Sequence, residues 1–195
     1  MPIDLSRFHQ QNVADTCAIW NILSSKLLHS ASRSAGCSFC CTEFVNYECL
    51  YKPRKNLTSE DEELQRRLRE EQARGDFVPY HLDVQDLQDV AIIEKRMRLS
   101  KGELSSIAFA QKTRQAFMTD DQKARKLASD IIDPPMVQTT PHLFGWLYFH
   151  RHLANGDKDV VIAEHQRLKR PLASPFECTY QEALRCRSMV RSGGI

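Results

Sequence analysis

The sequence predicts an α/β fold in which a central parallel sheet is covered by helices on both faces, three layers in all. Three observations carry that expectation. Short apolar segments alternate with helix-patterned ones along most of the chain. Residues that cap helices stand at the junctions, at Asp15, at Thr42, at Ser100 and at Thr119 or one of the aspartates that follow it. A length of 195 residues with ordinary composition suffices to bury one sizeable core. No internal repeat, low-complexity tract, phosphate loop or dinucleotide fingerprint occurs.

The segment QNVAD at 11–15 reads as a strand ending in Asp15. Thr16 then opens a helix in which Ile19, Trp20, Leu23 and Leu27 recur with helical spacing. Ser32 to Gly36 reads as a turn, CSFCC at 37–41 as a compact apolar strand, and Thr42 as the cap of a helix over Glu43 to Leu50. A polar, basic loop follows at 51–56, after which Ser59-x-x-Glu62 has the form of a capping box. It opens a charged helix that shows its face to solvent, with Arg66, Arg67 and Arg69 as a possible basic rim. Phe77 to Leu82 forms a strand, and Asp83 to Met97 an amphipathic helix built on Leu87, Val90, Ile92 and Ile93.

A second capping box, Ser100 to Glu103, opens a helix whose apolar flank is Leu104, Ile107, Ala108 and Ala110. Phe117 and Met118 make a brief strand that runs into Thr119-Asp120-Asp121 and a helix over 121–130. After Pro134-Pro135 come a strand at Met136 to Thr139 and an apolar helix over Pro141 to Leu153. The expected division is a domain over 1–153 and a helical C-terminal extension over 154–195. The extension has helices near Val160 to Leu168 and Tyr180 to Val190, separated by a break at Pro171 to Pro175, and docks through its apolar residues.

The formal charge is +2, from 27 Lys and Arg against 25 Asp and Glu, so any polyanion site has to be a local patch. No apolar run nears the roughly 18 residues of a membrane span, and MPIDLSRFHQ lacks the features of a secretory signal. Cytoplasmic residence without a membrane partner is the expectation. Seven cysteines, mostly among apolar neighbours, read as reduced core thiols. Cys37-x-x-Cys40-Cys41 lacks the second ligand pair of a zinc site, and His142, His150 and His152 read as packed or solvated.

Acidic residues are the chemical signal. Capping and the helix dipole alone favour acids at helix starts, so chemistry requires that distant segments send carboxylates to one place. Asp15, Glu48, Glu103 and Asp121 come from different elements, and a parallel sheet brings such junctions to one edge. Glu48 is the most informative, because Tyr47, Cys49 and Leu50 surround it with apolar side chains. Carboxylates gathered in one pocket repel, and a hard divalent cation such as Mg²⁺ or Mn²⁺ resolves the repulsion.

The segments VADTCAIWNIL, TEFVNYECL, GELSSIAFA and FMTDDQKAR, in this order and spacing, resemble the PIN domain nucleases, which include toxins of prokaryotic toxin-antitoxin pairs. The resemblance covers roughly residues 11–145 and implies a PIN-like three-layer fold. It further implies that Asp15, Glu48, Glu103 and Asp121 are the catalytic, metal-binding quartet, with Thr119 as the hydroxyl residue of a Thr-x-Asp turn. Glu103 stands where many members have Asp. Glu43 competes with Glu48, and Asp120 with Asp121; the apolar flank favours Glu48, and the Thr-x-Asp spacing favours Asp121.

The implied activity is that of an endoribonuclease performing Mg²⁺- or Mn²⁺-assisted hydrolysis of RNA phosphodiesters. Arg54, Lys55, Lys101 and Arg125, within wider basic groups at 52–55, 95–101 and 123–126, are candidate RNA contacts. An antitoxin protein and a second copy of the chain are the implied partners. The rival reading is a catalytically silent PIN-like module that binds protein or RNA. A haloacid dehalogenase-like phosphatase would want an Asp where Cys17 stands.

Overall fold

The computed structural model describes residues 4–95 and 97–192, with side chains up to 189; Arg96 of the expected basic group lies outside the described residues. In chain order the elements are β1 (Gln11–Ala14), α1 (Thr16–Ser24), α2 (Lys26–Ser34), β2 (Ser38–Thr42), α3 (Glu43–Leu50) and α4 (Ser59–Ala73). Then come β3 (Val78–Tyr80), α5 (Val84–Glu94), α6 (Lys101–Thr113), β4 (Ala116–Met118) and α7 (Gln122–Ser129). A 3-10 turn at Pro134–Met136 leads to β5 (Val137–Gln138), α8 (Thr140–Phe149), α9 (Asp157–Arg167) and α10 (Ala173–Ser192). The fold is α/β, with a five-stranded, all-parallel sheet in the order β3-β2-β1-β4-β5.

The chain divides into two compact units, one formed by 9–20 and 38–139, the other by 1–8, 21–37 and 140–195. The first contains the whole sheet. On it Val13 and Phe117 join Leu104, Ile107 and Ala108 of α6, Val90 and Ile93 of α5, and Ala124 and Leu127 of α7 in one buried cluster. Val90, Ile93, Leu104, Ile107 and Ala108 are apolar positions that helical spacing marks in the sequence, whereas Leu87 and Ile92, marked with them, are exposed at 46% and 57%. In the second unit α10 packs on α8, and α9 on α2. Within it Phe144 stacks on Phe176 with ring centroids 4.4 Å apart, Val161 and Leu168 are buried, and Val160 stays exposed.

Several expected boundaries move, each for a local reason. The helix starting at Thr16 stops at Ser24 because Ser25 adopts extended backbone and its hydroxyl accepts the Leu28 N–H at 3.0 Å, so Leu27 belongs to α2. α2 then runs to Ser34, and the turn narrows to Ala35 and Gly36, where φ is +84°. The capping box of α4 sits one residue earlier than expected: Thr58 caps, with Asp61 as its reciprocal partner. The strand expected over Phe77 to Leu82 keeps only three residues, Phe77 itself having φ +51°. α10 begins at Ala173 with Pro175 in its first turn, where a missing N–H costs nothing. His142 and His150 lie within hydrogen-bond distance of backbone carbonyls of residues 4–7, and all seven cysteines are free thiols.

Candidate active site

The strand order reverses direction of growth between β1 and β4, and the crevice outside the carboxyl ends of those two strands is where open parallel sheets take ligands. Asp15 is the first residue after β1 and Thr119 the first after β4. The ladder continues one step into each: Asp15 N–H donates to Met118 O at 3.1 Å, and Thr119 N–H to Gln138 O at 3.0 Å.

Asp15 is buried, with 1% of its surface exposed. Its Oδ1 accepts the Ala18 N–H at 2.9 Å and the Cys17 thiol at 3.0 Å, and its Oδ2 accepts the Thr119 hydroxyl at 2.5 Å. Burial pushes the Asp15 carboxyl up to about 7; the three hydrogen bonds pull the other way, and the nearby charge of Asp120 adds to the rise. The Cys17 thiol is pushed far above its ordinary range, first by burial and then by the charge of Asp15, so it stays a protonated donor. Thr119 Oγ1 also accepts the Asp121 N–H at 3.1 Å.

Glu48 lies on α3, which Thr42 caps by accepting the Val45 N–H. Its Oε2 accepts the hydroxyl of Thr16, the neighbour of Asp15, at 2.8 Å, and its Oε1 accepts the Gly102 N–H at 3.3 Å. A Cβ on residue 102 would stand 2.6 Å from Glu48 Oε2, so a side chain here would displace the carboxylate from this position. The thiol of Cys49, the next residue along α3, is raised to about 12 chiefly by burial, with the charges of Glu48 and Asp15 contributing.

Glu103 and Asp121 stand at helix starts and both act as caps. Glu103 Oε2 accepts the Ser100 N–H at 2.8 Å, closing the box that opens α6. Asp121 Oδ1 accepts the N–H groups of Lys123 and Ala124, each at 2.8 Å. Each cap uses one oxygen. Glu103 Oε1 and Asp121 Oδ2 accept no hydrogen bond among the described residues.

The competing acids separate by their partners. Glu43 pairs with His81 Nδ1 at 3.2 Å, whereas Glu48 is tied through Thr16 to the Asp15 corner. Asp120 acts on Asp15 through its charge and donates its N–H to Cys17 Sγ at 3.2 Å, while Asp121 caps α7. Among the described residues no three of these acidic side chains bring ligand oxygens within 4.8 Å of one another. All-oxygen donors nonetheless suit Mg²⁺, which takes one or two carboxylates directly and keeps several waters.

Among the expected RNA contacts, Arg54 is engaged in the fold. It pairs with Asp61 at 3.1 Å and lies over the Trp20 ring at 5.8 Å. Lys101 pairs with Glu94 at 2.6 Å, Lys55 is exposed, and Arg125 is half-buried. Of the expected rim at 66–69, Arg66 and Arg69 are exposed, Arg66 pairing with Glu63 and Glu70, whereas Arg67 is buried and pairs with Glu63. Sequence reading passes over Gly102 and Cys17. The signal for Gly102 is a glycine in the first turn of a helix, where it is a poor helix former and marks a close approach. Comparison with protein-family models, curated proteins and solved structures yields no match.

Proposed function

We propose that the chain is a Mg²⁺- or Mn²⁺-dependent endoribonuclease of PIN type. The observation that supports this reading best is the pair of buried or half-buried carboxylates, Asp15 and Glu48, meeting through Thr16 at the reversal point of the sheet. Among the described residues neither carboxylate accepts a hydrogen bond from a cationic side chain; Arg54 reaches only the backbone carbonyl of Glu48, at 3.5 Å. A divalent cation would provide that counter-charge, and when bound it supplies electrostatic stabilisation and water activation for phosphodiester hydrolysis. Asp15 and Glu48 would hold it directly. Thr119, Cys17, Thr16 and Gly102 fix the orientation of those two carboxylates.

Exposed apolar residues on α5 and on the edge strand β3 support a protein partner, an antitoxin or a second copy of the chain: Val84, Ile92, Val78 and Tyr80 are all exposed. Among the described residues no helix is long and apolar enough to cross a membrane. One observation favours the silent module: Glu103 and Asp121 are each accounted for as helix caps. Calorimetric titration with Mn²⁺ separates the readings. The nuclease reading expects saturable binding that weakens at least tenfold in Glu48→Gln, and absence of binding by the parent chain favours the module.

A further inference from the structure

Beside Glu48 a cavity of about 760 Å³ opens between α3, the connection from β3 to α5, and the start of α6. Its size lies within the roughly 300–1,000 Å³ of small-molecule sites. Tyr47, Leu82 and Leu87 give it an apolar lining, and the cavity is open to solvent, with Tyr47 51% exposed. Two glutamates also line it: Glu48, shared with the acidic site, and Glu43, paired with His81. Lys52 and Lys101 complete the lining, Lys52 making no ion pair among the described residues.

We propose that this cavity is a base-binding subsite, taking one unstacked nucleobase of single-stranded RNA next to the phosphate that is cut; the identity of that phosphate rests on the nuclease reading. The charges sort the parts of a nucleotide. Two carboxylates in the wall repel a phosphate from the interior and leave it to an uncharged, flat ring, which Tyr47 can stack on. Lys52 and Lys101 suit the flanking backbone phosphates. Glu43 accepts hydrogen bonds, so bases with an exocyclic amino group are preferred over uracil, which presents carbonyl oxygens. A base in a duplex is stacked and paired and cannot enter, so the substrate class is single-stranded.

The test uses the full chain in EDTA and a single-stranded ribotrinucleotide with 2-aminopurine at its centre, read by fluorescence quenching. Saturable quenching is expected, with affinity reduced about tenfold or more in Tyr47→Ala and retained in Tyr47→Phe. A trinucleotide with an abasic centre should not compete. Equal competition by the abasic trinucleotide, unchanged affinity in Tyr47→Ala, or equal competition by an apolar tripeptide overturns the subsite. Quenching by a chain that cuts no RNA in Mn²⁺ supports the subsite while removing the nuclease reading. Cleavage with Tyr47→Ala binding unchanged removes the subsite alone.

Discussion

Asp15 carries a proton more tightly in the folded chain than in the unfolded one, and this has a measurable sign. Its carboxyl is raised from the ordinary 3.8 to about 7 by burial, so between those values the native state binds the extra proton. The stability this contributes is full below about pH 4 and is lost as pH rises through about 7. In EDTA the melting temperature of the parent should fall across that window, by as much as ~4 kcal/mol in stability from a rise of this size. Asp15→Asn should flatten the profile and melt higher than the parent at pH 8, since an amide keeps the shape and an acceptor for the Ala18 N–H. Parent and Asp15→Asn profiles of equal slope from pH 4 to 7 would contradict the raised carboxyl, since the difference between them isolates this one group.

The helices reveal what was legible in the residues and what was not. Thr42 and Ser100 were readable as caps because a hydroxyl precedes a patterned segment at the required spacing. Thr58-Ser59 offered two adjacent hydroxyls and Asp61-Glu62 two adjacent acids, so the register of that box depended on backbone conformation that side-chain type does not encode. The break at Ser24 was hidden because the apolar spacing continues across it. In the site, Asp15 announced itself at a strand end, while the ties of Glu48 to Thr16 and Gly102 span 32 and 54 residues and exist only after folding. Gly102→Ala tests that tie. Alanine should gain α6 up to about 1 kcal/mol of helix propensity, but its Cβ would meet Glu48 Oε2 at 2.6 Å, so the carboxylate has to move away and gives up its bond to the residue 102 N–H, offsetting that gain. The expected result is little net change in melting temperature with Mn²⁺ affinity lowered at least tenfold; a variant that binds Mn²⁺ like the parent contradicts the close fit.

For the molecule as a whole, the all-parallel sheet and its reversal point place Asp15 and Thr119 side by side at the carboxyl ends of β1 and β4, with Glu48 tied to the neighbouring Thr16. The exposed apolar residues of α5 and β3 belong to the same sheet-bearing unit. If a second copy covers them, sedimentation equilibrium should give a dimer, and Ile92→Glu, at a position 57% exposed, should yield a folded monomer. A parent that is monomeric at high concentration leaves an antitoxin as the partner for that face. The remaining measurement concerns the acidic edge itself: cleavage of single-stranded RNA in Mn²⁺ by the parent and by Asp15→Asn, both shown to be folded by their melting curves. Mn²⁺-dependent cleavage by the parent and a loss of at least a hundredfold in the variant are expected; equal cleavage by both, or none by a parent that binds Mn²⁺, rules out the nuclease reading.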